Sequence, residues 1–183
     1  MRFFKLEHTK TAYWADFALY SLAVVMLSGL LIIKAANDHH LIKNILLGLI
    51  TWTAIEYVLH RFVLHGLQPF KNWHSEHHAR PTALICAPTI VSATLIMLLV
   101  FLPALYLGSL WGASAFTLGV LIGYLTYAIM HHAIHHSRIN NQWIKQRKLA
   151  HGLHHHLAMP VYFGVTSSFW DMIFNTIPNK KRA

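Results

Sequence analysis

Four long apolar stretches leave this chain few ways to fold. They run over about Phe17–Ala36, Leu41–Leu59, Leu84–Leu107 and Trp111–Met130. Each is near the roughly 20 residues a helix needs to cross a hydrocarbon core of about 30 Å. Lipid offers backbone groups no partners, so such spans must be helices that satisfy their own N–H and C=O groups. The second is diluted by Thr51, Thr53 and Glu56 near its end. The third is the longest, with Pro88 and Pro103 as expected points of bending. The first starts late and is followed by others, which does not suit a cleaved signal peptide. Composition agrees: of 183 residues, 55% are hydrophobic and only 11% charged, whereas soluble domains carry about 25% charged residues. The single cysteine, Cys86, excludes a disulfide framework and a thiolate cluster. It reads as a small buried hydrophobe.

The net charge of +9 raises the question of nucleic acid, and the placement of the charges answers it. Four spans put both termini on one side. Every Lys and Arg except Lys34 and Lys43 falls on that side. The positive-inside rule then makes the termini cytoplasmic and accounts for the charge, with no nucleic-acid partner. The expected fold is therefore an all-α integral membrane protein. It has four transmembrane helices and a cytoplasmic helical cap of about residues 60–83 and 131–177, and residues 1–183 form one domain. The membrane would be a bacterial inner membrane, or that of the endoplasmic reticulum in a eukaryote.

The 16 histidines follow the same partition. His39 and His40 fall on the far side and His8 in the N-terminal segment; these three read as ordinary polar residues. The rest lie at or beyond the ends of spans two and four, in metal-ligand spacings. His60 and His65 form H-x4-H. His74, His77 and His78 form H-x-x-H-H, and His151, His154 and His155 repeat it. On a helix, positions i, i+3 and i+4 share a face, so each H-x-x-H-H is expected to aim three imidazoles at one point. In the run His131-His132-Ala133-Ile134-His135-His136 the doublets leave two registers open, His131 with His135 or His132 with His136. His156 is expected outside the ligand set. Neutral imidazole binds iron, zinc and copper well, and so many imidazoles suit two metals rather than one. The Glu-x-x-His ligands of soluble di-iron bundles are missing. Glu56, one turn before His60, and Glu76, beside His77, are candidates to orient a ligand by accepting its second N–H; Glu76 also reads as a solvated residue. A membrane metal transporter or store is the rival from another class. It would need ligands near the midplane or on both sides of the bilayer, whereas these lie on one side.

Taken together, these motifs resemble the fatty acid hydroxylase/sterol desaturase superfamily of membrane di-iron oxygenases. The resemblance runs from about Trp52 to Ile177. It rests on Glu56-Tyr57-x-x-His60-Arg61-x-x-x-His65, Trp73-His74-x-x-His77-His78, Tyr127-x-x-x-His131-x-x-x-His135 and His151-x-x-His154-His155, and on a closing stretch Phe163–Thr176. The Tyr127 spacing favours the first histidine register. The resemblance implies that His60, His65, His74, His77, His78, His131, His135, His151, His154 and His155 bind two iron ions, with zinc able to replace iron in purified protein. It implies O2-dependent, two-electron hydroxylation of a C–H bond in a lipid, foremost a fatty acyl chain. Carotenoid or sterol hydroxylation and lipid desaturation are the alternatives. Fungal and animal fatty acid 2-hydroxylases carry an N-terminal cytochrome b5 domain. This chain begins about 16 residues before its first span, so an external donor of ferredoxin or cytochrome b5 type is expected.

Three further expectations concern the C-terminal part. Ser168 reads as a helix N-cap with Asp171 at N3. The helix would cover Phe169–Ile177, with Trp170, Ile173, Phe174 and Ile177 on a lipid or core face. The basic stretch Asn140–Leu149 reads as a surface loop or short helix near headgroups. Lys180-Lys181-Arg182 has the spacing of a dilysine retrieval signal, which cytosolic positive charge explains equally well.

Overall fold

A computed structural model describes residues 7–35, 39–139, 141–157, 159 and 161–178. Arg2, Lys5, Ala36 and the Lys180–Arg182 run lie outside these. The described chain is nearly all helical: α1 (Lys10–Ala35), α2 (His40–Val58), α3 (Phe70–Ala79), α4 (Thr89–Ile96), α5 (Leu102–Leu107), α6 (Leu110–His136), α7 (Gln142–His156) and α8 (Phe169–Ile173). A π-helical segment, Leu59–Leu64, continues α2, and a second, Met97–Phe101, joins α4 to α5. Four continuous helical stretches are long and apolar enough to cross a membrane: Lys10–Lys34, His40–Leu64, Thr89–Leu107 and Leu110–His136.

Three of these are longer than the sequence suggested, because Lys10, Arg61 and the histidines after Met130 continue helices that an apolar count alone would end. The third is shorter at its start. Residues 84–88 are not helical; Ile85 bridges Glu7, and the His8 amide donates to the Leu84 carbonyl at 2.9 Å. Pro88, with ψ of 135°, sits just before α4 and sets its beginning rather than bending it. Pro103 lies in the first turn of α5, directly after the π-helical segment. In that wider turn the Leu102 amide donates to the Met97 carbonyl, five residues back.

The chain forms two compact units, Met1–Trp52 with Leu84–Leu125, and Thr53–Ala83 with Thr126–Ala183. The first is built from hydrophobic spans. Leu31, Leu41, Ala115 and Leu118 form its buried cluster, with Val24, Leu27, Ile45, Trp111 and Ile122 against it. Helices α2 and α6 touch backbone to backbone. A Cβ on Gly48 would lie 2.0 Å from the Phe116 carbonyl oxygen, and one on Gly119 would lie 2.0 Å from that of Ile45. Small residues at such crossings replace the hydrophobic drive that lipid removes. Helix α1 is tied to α4 by polar bonds: buried Asp16 accepts from the Thr89 hydroxyl at 2.5 Å, and the Tyr20 and Ser92 hydroxyls are 2.7 Å apart. The outer faces are apolar and exposed, as at Ile32, Ile33, Leu99 and Leu107, which is the surface a lipid-facing helix needs.

The second unit gathers α3, α7, α8 and the C-terminal parts of α2 and α6. Of the basic stretch, Asn140 lies outside the described residues and Gln142–Leu149 form the start of α7, where the Asn141 side chain accepts from the Ile144 amide at 2.8 Å as an N-cap. Tyr57, 1% exposed, is the centre of an aromatic cluster: Phe174 stacks on it at 5.3 Å and Arg61 donates to its hydroxyl at 2.8 Å.

The last helix departs from expectation. It stops at Ile173, because Asn175 adopts a left-handed conformation with φ of 52° and the Thr176 amide returns to the Asp171 carbonyl at 2.9 Å. Ser168 makes no cap bond; its hydroxyl accepts from Arg147 at 2.9 Å. Trp170 is held by its indole N–H donating to the Thr53 hydroxyl at 3.0 Å and by stacking on Phe174, while Ile173 stays exposed.

Candidate metal centre

Four pieces of helix deliver the histidines. His60 lies in the π-helical segment and His65 immediately follows it. On an α-helix, with 3.6 residues per turn, residues five apart would point about 140° from one another. A π-helical turn closes i to i+5 bonds and brings them back to one side. Their rings lie 5.3 Å apart, which accounts for the H-x4-H spacing. Helix α3 carries His74, His77 and His78, the last turns of α6 carry His131 and His135, and α7 carries His151, His154 and His155.

These residues sort into two groups. His60, His65, His74, His78 and His154 form one; His77, His135, His151 and His155 form the other. Within each, one ring nitrogen per residue lies within 4.8 Å of all the others. The expectation that each H-x-x-H-H aims three rings at one point is therefore corrected. His74 and His78 serve the first group and His77 the second, whereas His151 and His155 serve the second and His154 the first. Positions i+3 and i+4 differ by about 100° around a helix, so a helix lying beside both groups divides its ligands between them. His131 sits beside the second group, its ring 4.8 Å from His77, 4.6 Å from His135 and 5.1 Å from His151. His132 and His136 stack on each other at 4.7 Å, outside both groups.

The donor set fits a metal in each group. His74 Nε2 lies 3.0 Å from both His60 Nε2 and His78 Nε2, and His65 Nε2 lies 3.1 Å from His154 Nε2. In the second group His151 Nε2 is 3.0 Å from both His135 Nε2 and His155 Nε2. A neutral imidazole has one N–H and one lone pair, so hydrogen bonds alone cannot satisfy such convergence. Two nitrogens bound at right angles, each about 2.1 Å from a cation, stand about 3.0 Å apart; at a tetrahedral angle they stand about 3.4 Å apart. Both ring nitrogens of His77, and Nδ1 of His151 and His155, are buried with no hydrogen-bond partner among the described residues. Leaving a buried polar atom unsatisfied costs about 1–3 kcal/mol; coordination would remove that cost for one nitrogen of His77, while Nδ1 of His151 and His155 points away from the convergent Nε2 atoms.

Burial and the neighbouring imidazoles also keep these rings neutral. His65 is pushed down to about 4, chiefly by burial and then by His78. His77 falls to about 3 through burial and His135. His154 also falls to about 3, burial outweighing its bond to the Val161 carbonyl, and His155 to about 2. His74, His78 and His151 are lowered for the same reasons. At neutral pH the lone pairs are thus free for a cation.

Behind the first group lies a loop at the start of the closing stretch Phe163–Thr176, whose contacts with the histidines the sequence did not reveal. The Phe163 carbonyl is 2.5 Å from His60 Nδ1, and the Val161 carbonyl 2.7 Å from His154 Nδ1. A carbonyl only accepts, so each Nδ1 carries the proton and each Nε2 presents its lone pair. Two buried carboxylates hold the loop. Asp171, fully buried, accepts from the amides of Phe163 at 2.8 Å and Gly164 at 3.0 Å and from the Thr176 hydroxyl at 2.7 Å. Glu56, 4% exposed, accepts from the amides of Val165 at 2.7 Å and Thr166 at 2.9 Å and from the Thr166 hydroxyl at 2.7 Å. Glu56 therefore reaches His60 through the backbone rather than by accepting its N–H. Glu76 points outward to Arg80, 2.7 Å away. Asp171 is not a helix cap but a buried anchor. Two of its three partners are backbone amides, which have no side-chain signature in a sequence. A cavity of about 230 Å³, bordered by His65, Ser75, His78, His154, His155 and Leu157, opens beside the two groups. It is smaller than the about 300–1,000 Å³ of drug-sized ligand pockets.

A nearly all-helical membrane protein with two such histidine groups has the architecture of a membrane-bound metal-dependent oxygenase. The sequence model of the fatty acid hydroxylase family matches residues 45–176. A dihydroceramide fatty acyl 2-hydroxylase of Arabidopsis thaliana is 30% identical over 197 residues, spanning 100% of this chain and 82% of that protein. A ceramide very long chain fatty acid hydroxylase of Saccharomyces cerevisiae is 32% identical over 188 residues, 92% of this chain and 46% of that one. The hydroxylase domain visible in the solved structure of full-length Scs7p superposes with a TM-score of 0.80 at 27% identity, covering 92% of this chain and 67% of that one. The chain belongs to the fatty acid hydroxylase family. It is an integral membrane protein of that oxidoreductase family, and its histidine groups fit a di-iron oxygenase.

Proposed function

We propose that this chain hydroxylates the fatty acyl chain of a membrane lipid, at carbon 2 as the name of the Arabidopsis relative states for that protein. The observation that carries the reading is the sorting of histidines from four helical segments into two buried, neutral, convergent groups. His60, His65, His74, His78 and His154 would hold one iron. His77, His135, His151 and His155, with His131 beside them, would hold the other. The 3.0–3.1 Å nitrogen spacing supports convergence of neutral imidazole donors on a cation in each group. The reaction is R–H + O2 + 2 electrons + 2 protons giving R–OH + H2O. A bound iron pair would supply the activation of O2 and the removal of hydrogen from carbon.

The chain's own residues do the rest. Buried imidazoles hold neutral donors in fixed directions, and the Phe163 and Val161 carbonyls set the tautomers of His60 and His154. The burial of His60, His74, His77, His151 and His154 keeps bulk water from the reacting centre. The cavity between His65 and His155 suits O2 or water rather than an acyl chain. The lipid substrate would arrive through the same bilayer that the spans occupy. Residues 1–183 would act as one catalytic domain with both termini in the cytoplasm, in a bacterial inner membrane or the endoplasmic reticulum according to the host. The basic loops support that orientation. The electrons would come from a donor of ferredoxin or cytochrome b5 type.

The test compares lipid extracts from matched cells that co-express a competent donor with either the wild type or a His154→Ala/His155→Ala variant. Mass spectrometry should find acyl lipids gaining one oxygen only with the wild type, and fragmentation should place it at carbon 2. A loss of two hydrogens instead would make the enzyme a desaturase. Identical extracts would refute catalysis on those lipids.

A further inference from the structure

The two histidine groups are alike in ligand chemistry and unlike in what stands behind them. In the first, His60 and His154 are each fixed from the far side by a backbone carbonyl. Those carbonyls belong to a loop whose consecutive amides, Phe163, Gly164, Val165 and Thr166, are all taken by Asp171 or Glu56. In the second, Nδ1 of His151, Nδ1 of His155 and both nitrogens of His77 have no such partner among the described residues. Partners behind a ligating histidine fix ring orientation, raise basicity and are worth about 10- to 100-fold in metal affinity.

We propose that Glu56 and Asp171 are positioning residues which, acting through the Phe163 and Val161 carbonyls, make the five-histidine group the tighter of two unequal metal sites. This rests on the reading that each group holds a metal. The first group then fills first and empties last, and a half-loaded protein carries its metal there. Neither carboxylate touches the metal position. Each removes from the loop the freedom to let its carbonyls drift off the two imidazoles. Four anchored amides over four consecutive residues leave the loop one geometry.

The test uses the full chain in detergent, with Co(II) as the probe and a chromophoric chelator as competitor. Stoichiometry, two stepwise dissociation constants and the visible Co(II) spectrum are read. The wild type should bind two Co(II) with constants at least tenfold apart. His154→Ala should abolish the tight step, and His155→Ala the weak one. Glu56→Gln and Asp171→Asn should weaken the tight step about tenfold or more and shift its spectrum while leaving the weak step in place. Thr166→Val removes a single bond to Glu56; it should weaken the tight step severalfold and serves if a carboxylate variant does not fold. Two Co(II) with equal constants, a tight step that survives in His154→Ala, or variants that weaken both steps alike would overturn the inference alone. One Co(II) per chain, lost in both histidine variants, would overturn the two-metal reading and this inference with it.

Discussion

Gly164→Ala separates the need for this loop from any general tolerance of the fold. The Gly164 amide donates to Asp171 at 3.0 Å. A Cβ there would lie 2.0 Å from the Ser167 carbonyl oxygen and 2.9 Å from Asp171 Oδ2. Carbon and carbonyl oxygen in contact normally stand about 3.3–3.6 Å apart, so the backbone must move by more than about 1 Å. The preceding peptide carries the carbonyl that receives His60 Nδ1–H, so the displacement reaches a histidine of the first group. Overpacking costs about 1–3 kcal/mol, and loss of one hydrogen bond to a buried carboxylate about 1.5–3 kcal/mol more. The sum is about 2.5–6 kcal/mol. At about 2–4 °C per kcal/mol for a chain of this size, thermal unfolding in detergent should shift down by at least about 5 °C, with loss of hydroxylated lipid. The control is Gly152→Ala. Gly152 lies within α7 and a Cβ there meets nothing within 4 Å, so helix propensity alone predicts a gain of up to about 1 kcal/mol. If Gly164→Ala matched the wild type in unfolding temperature and product, the loop would not be the rigid support argued for here.

Other outcomes follow from the same geometry. His132→Ala and His136→Ala should leave metal stoichiometry unchanged by elemental analysis, because these rings stack on each other outside both groups. In the metal-free protein His77 and His154 lie near 3, against about 6.5 unfolded. The unfolded chain therefore binds more protons between those values, and stability must fall as pH drops from 6.5 towards 3. Thermal midpoints of the chelator-treated protein should accordingly be level above pH 7 and decline below about 6. Gly119→Leu should disrupt the spans, since a Cβ meets the Ile45 carbonyl at 2.0 Å; a folded, wild-type-like elution profile would count against the α2–α6 contact.

Much of the protein could be read from residues alone, because two of its constraints are written in residue type and spacing. Lipid forces any run of about twenty apolar residues into a helix, so four spans were legible before any coordinates. Imidazoles repeated at helical spacings mark a metal site whatever surrounds them. Even the H-x4-H pair, at odds with an α-helix, held a trace of the π-helical turn that carries His60. Tertiary structure decided how the ligands divide. His77 and His78 are neighbours in sequence yet serve different groups, because the direction of a side chain depends on what lies on each flank of its helix. It also decided the role of Asp171, which sequence placed in the first turn of a capped helix and the fold buried against the Phe163 and Gly164 amides. Hydrogen bonds to backbone amides and carbonyls are available to every residue type. No pattern of side chains can announce them, and only the folded chain shows which ones form.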